Sequence, residues 1–376
     1  MITRLWFRDF KLLRHVSLDL GRFNVIVGRN GVGKSSVLDG AHYLLQLASA
    51  GGSPAVPKEL PPEQVFSGPR HPSYLVSKPN ADSFVIGVDG SATKPFAIAV
   101  KLPEDDSRRV TYIASWGENS CDERSAARWR TFLKGPFDAE LGSVVRLRLD
   151  SRKLAEPHYS KSEHPRVEFD GEGLASVIQY LQGLRDGTIE AIEADLARIV
   201  PSAKRIRALP TKILQTESLR VSVGDESSFH DRRTEVTGAR FEVEFEGAGW
   251  VDAGQLSEGT LLVLGIVTVL RHQAPRLILL DDMDRGLHPV AQLELVRLLR
   301  GVLAADEELQ IVATSHSPFV LDELEASEAF VASAVDPATS QIQRLDRHPE
   351  WEQRARFMRP GEFWSAVGEG WVAERP

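Results

Sequence analysis

Hydrophobic and polar positions follow the two-residue period of β-strands through much of the first third of the chain. Short apolar runs bounded by turn residues predict strands at 3–10, 15–20, 23–28, 83–90, 96–102 and 108–116. A helical pattern occupies 35–50 and ends in two glycines, after which a proline-rich stretch predicts a loop. The chain therefore begins with strands, and a strand–turn–helix unit starts near residue 23.

The last third of the chain alternates between strand and helix patterns. It predicts an apolar helix at 260–273, a strand at 276–280, a helix at 288–304, a strand at 309–315 and a helix at 318–324. Between 117 and about 223 the pattern is weakest, and helices at 173–184 and 189–199 are its clearest features. Strand–helix alternation of this kind predicts a parallel sheet with helices packed on it.

Composition narrows the class of protein. The 376 residues are 42% hydrophobic and 26% charged, as in soluble globular proteins. A net charge of −8 argues against coating of nucleic acid, although a local basic patch is compatible with it. The single cysteine, Cys121, excludes an internal disulfide framework. No apolar run is long enough to cross a bilayer, and the charged first residues disfavour a signal peptide, so we expect a cytoplasmic protein with no membrane partner.

A phosphate-binding loop is predicted at residues 28–35, GRNGVGKS, which match G-x-x-x-x-G-K-[ST] between a strand and a helix. Its glycines let backbone N–H groups surround phosphate oxygens, and the helix adds its positive end. We expect Lys34 to contact the β- and γ-phosphates of a nucleotide and the Ser35 hydroxyl to coordinate Mg²⁺. The other binding residues predicted here are Asn30, Gly31, Gly33 and Ser36.

A second anion site is predicted where the apolar helix begins. QLSEGT at 255–260 places Ser257, Glu258 and Gly259 at that helix start. A serine hydroxyl and free backbone N–H groups there suit a phosphate, although an ordinary helix N-cap has the same residues.

Acidic residues and a histidine follow two apolar strands. LILLDD ends in Asp281 and Asp282, which suit a Mg²⁺ ligand and a group that polarises the attacking water, or else an acidic turn. ATSHSPF places His316 just past the next strand, where it would donate to a γ-phosphate or else bond the backbone. Because strand ends in parallel sheets share an edge, these side chains are expected near the phosphate loop.

The order of these motifs resembles that of ABC-type ATPases: phosphate loop, LSxG-like signature, aspartate-ended strand, GLHP turn and switch histidine. More narrowly, FKLLRHVSLDLGRFNVIVGRNGVGKSS, LSEGTLLVLGIV, DRGLHP and TSHSPFVLDEL are similar to the RecF/OLD-like group of AAA family ATPases, the AAA_21 type. The stretches FDGEGLASVIQYL, ARIVPSAKRIRA and RPGEFWSAVGEGWV resemble stand-alone members. The resemblance therefore covers most of the chain.

This resemblance implies an α/β P-loop NTPase fold, the ABC/RecF/SMC-type ATPase head with a mixed sheet and flanking helices. Residues 1–116 and 251–376 would form the two parts of the ATPase domain, with an antiparallel sheet near its N-terminal part. Residues 117–250 would form an inserted, lid-like helical region. The implied cofactors are ATP and Mg²⁺.

The resemblance also implies a homodimer joined through ATP, and higher oligomers stay open. Each nucleotide would be held by the phosphate loop of one subunit and by Ser257, Glu258 and Gly259 of the other. ATP would join the subunits through its γ-phosphate, and hydrolysis would release them.

The sequence departs from the family pattern at the second acid. The usual Asp-Glu-Pro is Asp281-Asp282-Met283 here. The shorter aspartate lies farther from a γ-phosphate water, and a misplacement of about 1 Å can cost roughly a hundredfold in rate. We expect slow hydrolysis with Lys34, Asp282 and His316 as catalytic residues. The Mg²⁺-contacting glutamine of ABC-type sites has one candidate, Gln64, which is equally compatible with loop surface.

Three features of the sequence concern a partner nuclease or DNA. OLD-type nucleases add a Toprim domain after the ATPase, whereas the segment after Glu325 is short, so a nuclease would be a separate chain. Phe363, Trp364 and Trp371 would dock that partner or cap the domain's own core. Basic groups at 204–207 and 230–236 would touch DNA phosphates or remain solvated.

Three functions stay open at this level. The first is an ATPase that controls a partner effector, a nuclease above all, in bacterial defence. The second is a RecF-like DNA-repair clamp, and the third is a nucleotide-gated scaffold with negligible turnover. Membrane transport is disfavoured because nothing resembles a coupling surface for a permease.

Overall fold

The computed structural model describes residues 1–49, 75–78, 81–90, 95–102, 111–117, 119–122, 144–223 and 226–373. The chain divides into two compact units. Unit 1 contains Met1–Arg146, Pro275–Asp284 and Leu299–Pro376, and unit 2 contains Leu147–Ala274 and Arg285–Leu298. The predicted inserted region thus contributes to unit 2 from residue 147 onward. The division of the chain into 1–116, 117–250 and 251–376 stays a prediction.

The elements follow the predicted order closely. The strands are β1 (Ile2–Phe10), β2 (Leu13–Asp19), β3 (Phe23–Val27), β4 (Ser83–Gly90), β5 (Phe96–Lys101), β6 (Thr111–Trp116), β7 (Asn119–Asp122), β8 (Val144–Leu147), β9 (Ala203–Val223), β10 (Glu226–Phe245), β11 (Gly249–Asp252), β12 (Leu277–Leu280), β13 (Gln310–Ser315), β14 (Ala329–Asp336) and β15 (Thr339–Arg344). The α-helices are α1 (Lys34–Ser49), α2 (Ser151–Ala155), α3 (Leu174–Leu184), α4 (Thr188–Ile199), α5 (Glu258–Thr268), α6 (Pro289–Ala305), α7 (Pro318–Leu321), α8 (Trp351–Arg354), α9 (Pro360–Val367) and α10 (Gly370–Ala373).

An antiparallel sheet forms one layer of unit 1, in the order β2-β1-β4-β5-β6-β7. The apolar side chains of β1 alternate with polar ones, so Leu5 and Phe7 are buried on one face. α1 packs closely against this strand, because a Cβ at Gly40 would lie 2.4 Å from a ring carbon of Phe7. The antiparallel sheet expected near the N-terminus is confirmed.

A second sheet of unit 1 carries the motif-bearing strands, in the order β15-β14-β3-β13-β12-β8. β12, β13, β3 and β14 are parallel neighbours, whereas β15 runs antiparallel to β14. Every residue of β3, β12 and β13 is buried, which is typical of strands covered on both faces. The mixed sheet of a P-loop NTPase is confirmed, and the loops after β3, β12 and β13 leave its carboxyl edge together.

Unit 2 combines helices with a long hairpin. α3 and α4 confirm the two helices predicted in this region, and both pack on β9. β9 and β10 are antiparallel strands of 21 and 20 residues. The sequence pattern predicts a strand only near the end of β10, in RFEVEFEGAGWV, and does not predict the long hairpin. The apolar helix predicted at 260–273 is α5 followed by a π-helical turn at Val269–Gln273. No helix among the described residues is long and apolar enough to cross a membrane.

Two buried amide side chains connect the start of the chain to the amino ends of the parallel strands. Gln310 accepts from the backbone N–H of Ile2 at 3.1 Å and donates to the carbonyls of Ile2 and Gly21 at 2.8 and 2.7 Å. Asn24 donates to the carbonyls of Gly21 and Ile311. These bonds tie the backbone of residues 2 and 21 to β3 and β13.

Replacement of Gln310 by alanine is expected to lower the free energy of unfolding by about 2–3 kcal/mol, because buried backbone groups lose their partners. Gln353→Ala, at an exposed position of α8, is the matched control and should change it by less than about 0.5 kcal/mol. Urea unfolding followed by circular dichroism measures both. Equal losses for the two variants would contradict the structural role of Gln310.

Candidate functional site

The phosphate loop joins β3 to α1, and its backbone requires glycine. Gly28, Gly31 and Gly33 all have positive φ values of 146°, 79° and 88°. A Cβ at Gly28 would lie 2.4 Å from the carbonyl oxygen of Ala332, so a side chain there would displace β14. The loop therefore has a backbone that only glycine adopts readily at these positions, and it lies at the positive end of α1, where anions are favoured.

The ammonium group of Lys34 lies inside this loop. Its Nζ donates to the carbonyl oxygens of Gly28 and Arg29, both at 2.8 Å. The side chain is buried, and burial lowers the pKa of Lys34, while the nearby carboxylates of Asp282 and Asp281 act in the opposite direction. A lysine folded over the loop in this way is positioned to exchange its carbonyl contacts for phosphate oxygens.

The carboxylate of Asp281 lies where β12 ends and is fixed by two hydroxyl groups. Its Oδ1 accepts from Ser35 Oγ at 2.9 Å and from Thr314 Oγ1 at 2.7 Å. Ser35 belongs to α1 and Thr314 to β13, so three elements meet at this oxygen. The two predicted metal ligands, Ser35 and Asp281, are in direct contact.

The donor chemistry of this pair fits Mg²⁺. Adjacent ligands of an octahedral Mg²⁺, each about 2.1 Å from the ion, lie roughly 3 Å apart. The 2.9 Å separation between Ser35 Oγ and Asp281 Oδ1 matches that spacing. Mg²⁺ generally takes one or two carboxylates together with phosphate oxygens of the substrate, and this pair would supply the protein part of such a shell.

Asp282 and His316 form the outer part of the same edge. The Nε2 of His316 lies 3.7 Å from Oδ1 of Asp282, and both side chains are about one-third exposed. Asp282 has a φ of 54°, in the left-handed region, and its backbone N–H donates to Thr314 Oγ1 at 2.8 Å. The backbone N–H of His316 in turn donates to the carboxylate of Asp284. The two predicted catalytic side chains are thus neighbours in reach of solvent.

A buried charge cluster adjoins Asp281 and was missed by sequence reasoning. The guanidinium of Arg146, on β8, forms an ion pair with Asp39 of α1 and lies 4.0 Å from Asp281 Oδ2. Lys11, in the turn between β1 and β2, pairs with the other oxygen of Asp39. His42 lies one helical turn beyond Asp39, and burial, with help from Arg146, lowers its pKa to about 4. No local motif marks these residues, because each pairing joins distant parts of the chain.

The C-terminal segment brings an acidic group to the phosphate loop. Glu369 Oε2 lies 3.3 Å from Nε of Arg29, and the Glu369 side chain is only 12% exposed. The same carboxylate contributes to the electrostatic environment of Lys34. α10 anchors this segment, since Val372 is fully buried and its carbonyl accepts from Gln343. A negative charge therefore borders a loop built for anions.

The signature residues lie in unit 2. Ser257 is exposed and caps α5, accepting from the backbone N–H of Thr260 at 3.1 Å. Glu258 forms an ion pair with Arg285 at 2.9 Å. A Cβ at Gly259 would lie 2.7 Å from the carbonyl oxygen of Gly286, so glycine is required where the signature meets the GLHP turn. The serine serves as an N-cap and faces solvent at the same time.

The remaining predicted residues lie on the phosphate loop, in α1, in the C-terminal segment or outside the described residues. Asn30 and Gly31 are exposed at the tip of the phosphate loop, and Ser36 is half-buried in the first turn of α1. Gln64 lies outside the described residues. Phe363 is fully buried with its ring against those of His348 and Trp351, and His348 also contacts Trp371. Phe363 therefore serves the protein's own core, while Trp364 is half-buried.

A family model matches residues 23–322, which is most of the chain and includes the phosphate loop, the signature, Asp281, Asp282 and His316. Its description is "AAA_21: AAA domain, putative AbiEii toxin, Type IV TA system". The chain belongs to this AAA_21 family. Membership in an AAA-domain family supports ATP binding at the phosphate loop. No curated protein matches the chain.

Solved structures of SMC heads share the fold of this AAA_21 chain. An SMC head bound to the C-winged helix domain of ScpA aligns with a TM-score of 0.58 at 15% identity, covering 93% of this chain and 99% of the other. An SMC head with an extended coiled coil, bound to the C-terminal domain of ScpA from Pyrococcus furiosus, aligns at 0.55 and 14% identity, covering 94% and 99%. The predicted ATPase-head fold is confirmed.

Removal of the charge of Glu369 is expected to strengthen nucleotide binding, because a carboxylate beside the loop repels the phosphates. Glu369→Gln should lower the Kd for ATP roughly threefold to tenfold at low salt, and the gain should shrink as salt screens the charge. Titration calorimetry measures this, with the exposed Glu352→Gln as the control. A Kd equal to that of the unmodified chain at low salt would show that Glu369 does not oppose the nucleotide.

Proposed function

We propose that this chain binds ATP with Mg²⁺, hydrolyses it slowly, and forms a homodimer around it. The observation that carries the proposal is the direct contact of Ser35, in the phosphate loop, with Asp281 at the end of β12. The contact joins a phosphate-binding loop to a carboxylate with the spacing of Mg²⁺ ligands. The bound ion would supply neutralisation of phosphate charge, and Lys34 would add a second positive charge on the β- and γ-phosphates.

For hydrolysis, Asp282 is proposed to accept a hydrogen bond from the attacking water, and His316 to donate to the γ-phosphate. Their separation of 3.7 Å and partial exposure support this division of roles. The Asp282 carboxylate is one methylene shorter than the usual glutamate, so alignment of the water is expected to be imperfect. Slow turnover suits a timer that sets how long a nucleotide-bound state lasts.

Dimerisation is proposed from the signature residues. Ser257 is exposed at the N-terminus of α5, where its hydroxyl and the helix's free N–H groups suit a phosphate. The bond with Thr260 orients this hydroxyl without burying it. A head-to-tail homodimer would bring Ser257, Glu258 and Gly259 of one copy to the γ-phosphate held by the other. Higher oligomers built from such dimers are compatible with the same contacts.

The biological role is proposed to be control of a partner effector. The family description refers to putative AbiEii toxins of type IV toxin–antitoxin systems, which supports a place among bacterial defence and growth-control systems. Both SMC heads described above bind a domain of a separate protein, ScpA, so this fold accommodates partner chains. A nuclease regulated by the ATP-bound dimer is the form of effector that we favour, in the cytoplasm.

A DNA clamp is the weaker alternative. The basic residues at 204–207 that would contact phosphates are already neutralised along the β9–β10 ladder. Lys204 pairs with Glu246, Arg205 with Glu244, and Arg207 with Glu242. The guanidinium of Arg207 also lies over the ring of Trp250. Within the described residues, this group of cations therefore offers little uncompensated charge to DNA.

Loss of the Asp282 carboxylate is expected to slow hydrolysis without abolishing ATP binding. Asp282→Ala should lower kcat roughly a hundredfold, the lower end of the range for a positioned general base. Phosphate release measures turnover and titration calorimetry measures binding, with Lys34→Ala as the variant that should lose binding. If the unmodified chain and the Asp282→Ala variant turn over ATP at the same rate, Asp282 has no role in hydrolysis.

A bulky group at the signature serine is expected to prevent ATP-dependent dimerisation. In a hydrolysis-deficient Asp282→Asn background, ATP should double the molar mass seen by light scattering, and Ser257→Arg should abolish that change. Ser162→Arg, at an exposed position of unit 2, is the control and should leave the dimer intact. Thermal melting without ATP checks that both variants fold. A background protein that stays monomeric with ATP would refute the dimer.

A further inference from the structure

Arg146 is a buried cation shared between two carboxylates of different function. Its side chain is 8% exposed, and one nitrogen, Nη2, faces both Asp39 and Asp281. Asp39 is in direct contact with that nitrogen, whereas Asp281 Oδ2 is 4.0 Å away. The second distance is longer than the 2.7–3.2 Å of an N–H···O hydrogen bond, so Arg146 acts on Asp281 through charge rather than through a bond.

Asp39 determines where the guanidinium lies. Its Oδ1 contacts Arg146 and its Oδ2 contacts Lys11. Positive and negative side chains therefore alternate from Lys11, in the β1–β2 turn, through Asp39 and Arg146 to Asp281. The side chain of Asp39 is 16% exposed and that of Asp281 is fully buried. A buried carboxylate attracts a nearby guanidinium strongly, and the contact with Asp39 opposes closure of Arg146 onto Asp281.

The orientation of Asp281 depends on this arrangement. Ser35 and Thr314 both donate to Oδ1, and the guanidinium of Arg146 lies on the Oδ2 side of the carboxylate. A complete ion pair with Arg146 would compete with a divalent cation for the same carboxylate. A distance of 4.0 Å orients the group and avoids that competition.

We propose that Arg146 is a positioning residue for Mg²⁺ binding, which orients Asp281 while Asp39 holds the guanidinium away from a direct contact. The proposal rests on the proposed function, because Mg²⁺ at this edge matters when a nucleotide is bound. It assigns to Asp39 a role distinct from packing: it keeps the metal-binding carboxylate available. Outer residues that orient a metal ligand typically contribute tenfold to a hundredfold to metal affinity.

The test measures binding of a fluorescent ATP analogue to the full chain at increasing Mg²⁺, and separately in EDTA. Arg146→Gln should raise the half-saturating Mg²⁺ concentration roughly tenfold and leave binding in EDTA unchanged. Arg146→Lys keeps the charge but has a shorter reach. Its half-saturating Mg²⁺ concentration should lie between those of the unmodified chain and of Arg146→Gln. Arg148→Gln, an exposed arginine two residues further along, is the matched control.

Asp39→Asn gives the decisive comparison. In the otherwise unmodified chain it should also raise the Mg²⁺ requirement roughly tenfold, because Arg146 then closes onto Asp281. In the Arg146→Gln background it should add nothing, because no guanidinium remains to close. Two merely structural losses would instead add independently.

The possible outcomes distinguish failure of the proposed ATP-binding function from failure of the role assigned to Arg146. If the unmodified chain does not bind the analogue with or without Mg²⁺, the proposed function fails. If it binds, but Arg146→Gln and Asp39→Asn keep its Mg²⁺ dependence or their effects simply add, the role of Arg146 is refuted. If thermal melting shows that Arg146→Gln is unfolded, Arg146→Lys and Asp39→Asn decide in its place, and an unchanged Mg²⁺ requirement in both overturns the proposal.

Discussion

A fully buried carboxylate at the end of β12 is the constraint on which the rest of the site depends. An ionised carboxylate away from water is costly unless hydrogen bonds and opposite charge compensate for it. For Asp281 the compensation comes from Ser35 on α1, Thr314 on β13 and Arg146 on β8. These elements are therefore fixed relative to one another by the chemistry of a single side chain as well as by apolar packing. Removal of any of the three would leave part of the charge without its partner.

The same compensation explains why hydroxyl groups, rather than apolar ones, line this edge. Thr314 is completely buried, yet its hydroxyl donates to Asp281 and accepts from the backbone N–H of Asp282. That second bond holds Asp282 at a φ of 54°, where aspartate and asparagine are tolerated better than most residues. The short side chain at this position therefore fits a left-handed backbone. This backbone conformation accommodates aspartate at the position where the ATPases that the sequence resembles usually carry glutamate.

Prediction from the sequence succeeded where the signal is local. The phosphate loop could be read from residues 28–35 alone, because its glycines and lysine act within one turn of chain, and the buried strands carried uninterrupted apolar runs. Most of the long hairpin could not be read, because the apolar residues of β9 do not keep a two-residue period, whereas Ala239, Phe241 and Val243 near the end of β10 do and are fully buried. Arg146 and Glu369 were missed for another reason. Their partners Asp39 and Arg29 are more than a hundred residues away, so only the folded chain brings these charges together.

Charge placement around the phosphate loop also bears on how the nucleotide would be exchanged. Lys34 is surrounded by carboxylates, of which Asp282 and Asp281 follow β12 and Glu369 comes from the C-terminal segment. Such a loop retains anions less strongly than one with uncompensated cations, because each carboxylate repels the phosphates that the lysine attracts. In the proposed dimer, tight binding would draw on positive charge from Mg²⁺ and on N–H donors at the exposed start of α5 in the other copy. The proposed timer would then bind ATP with modest affinity in one subunit and more tightly in the dimer. Loss of the γ-phosphate would remove the group that both copies hold.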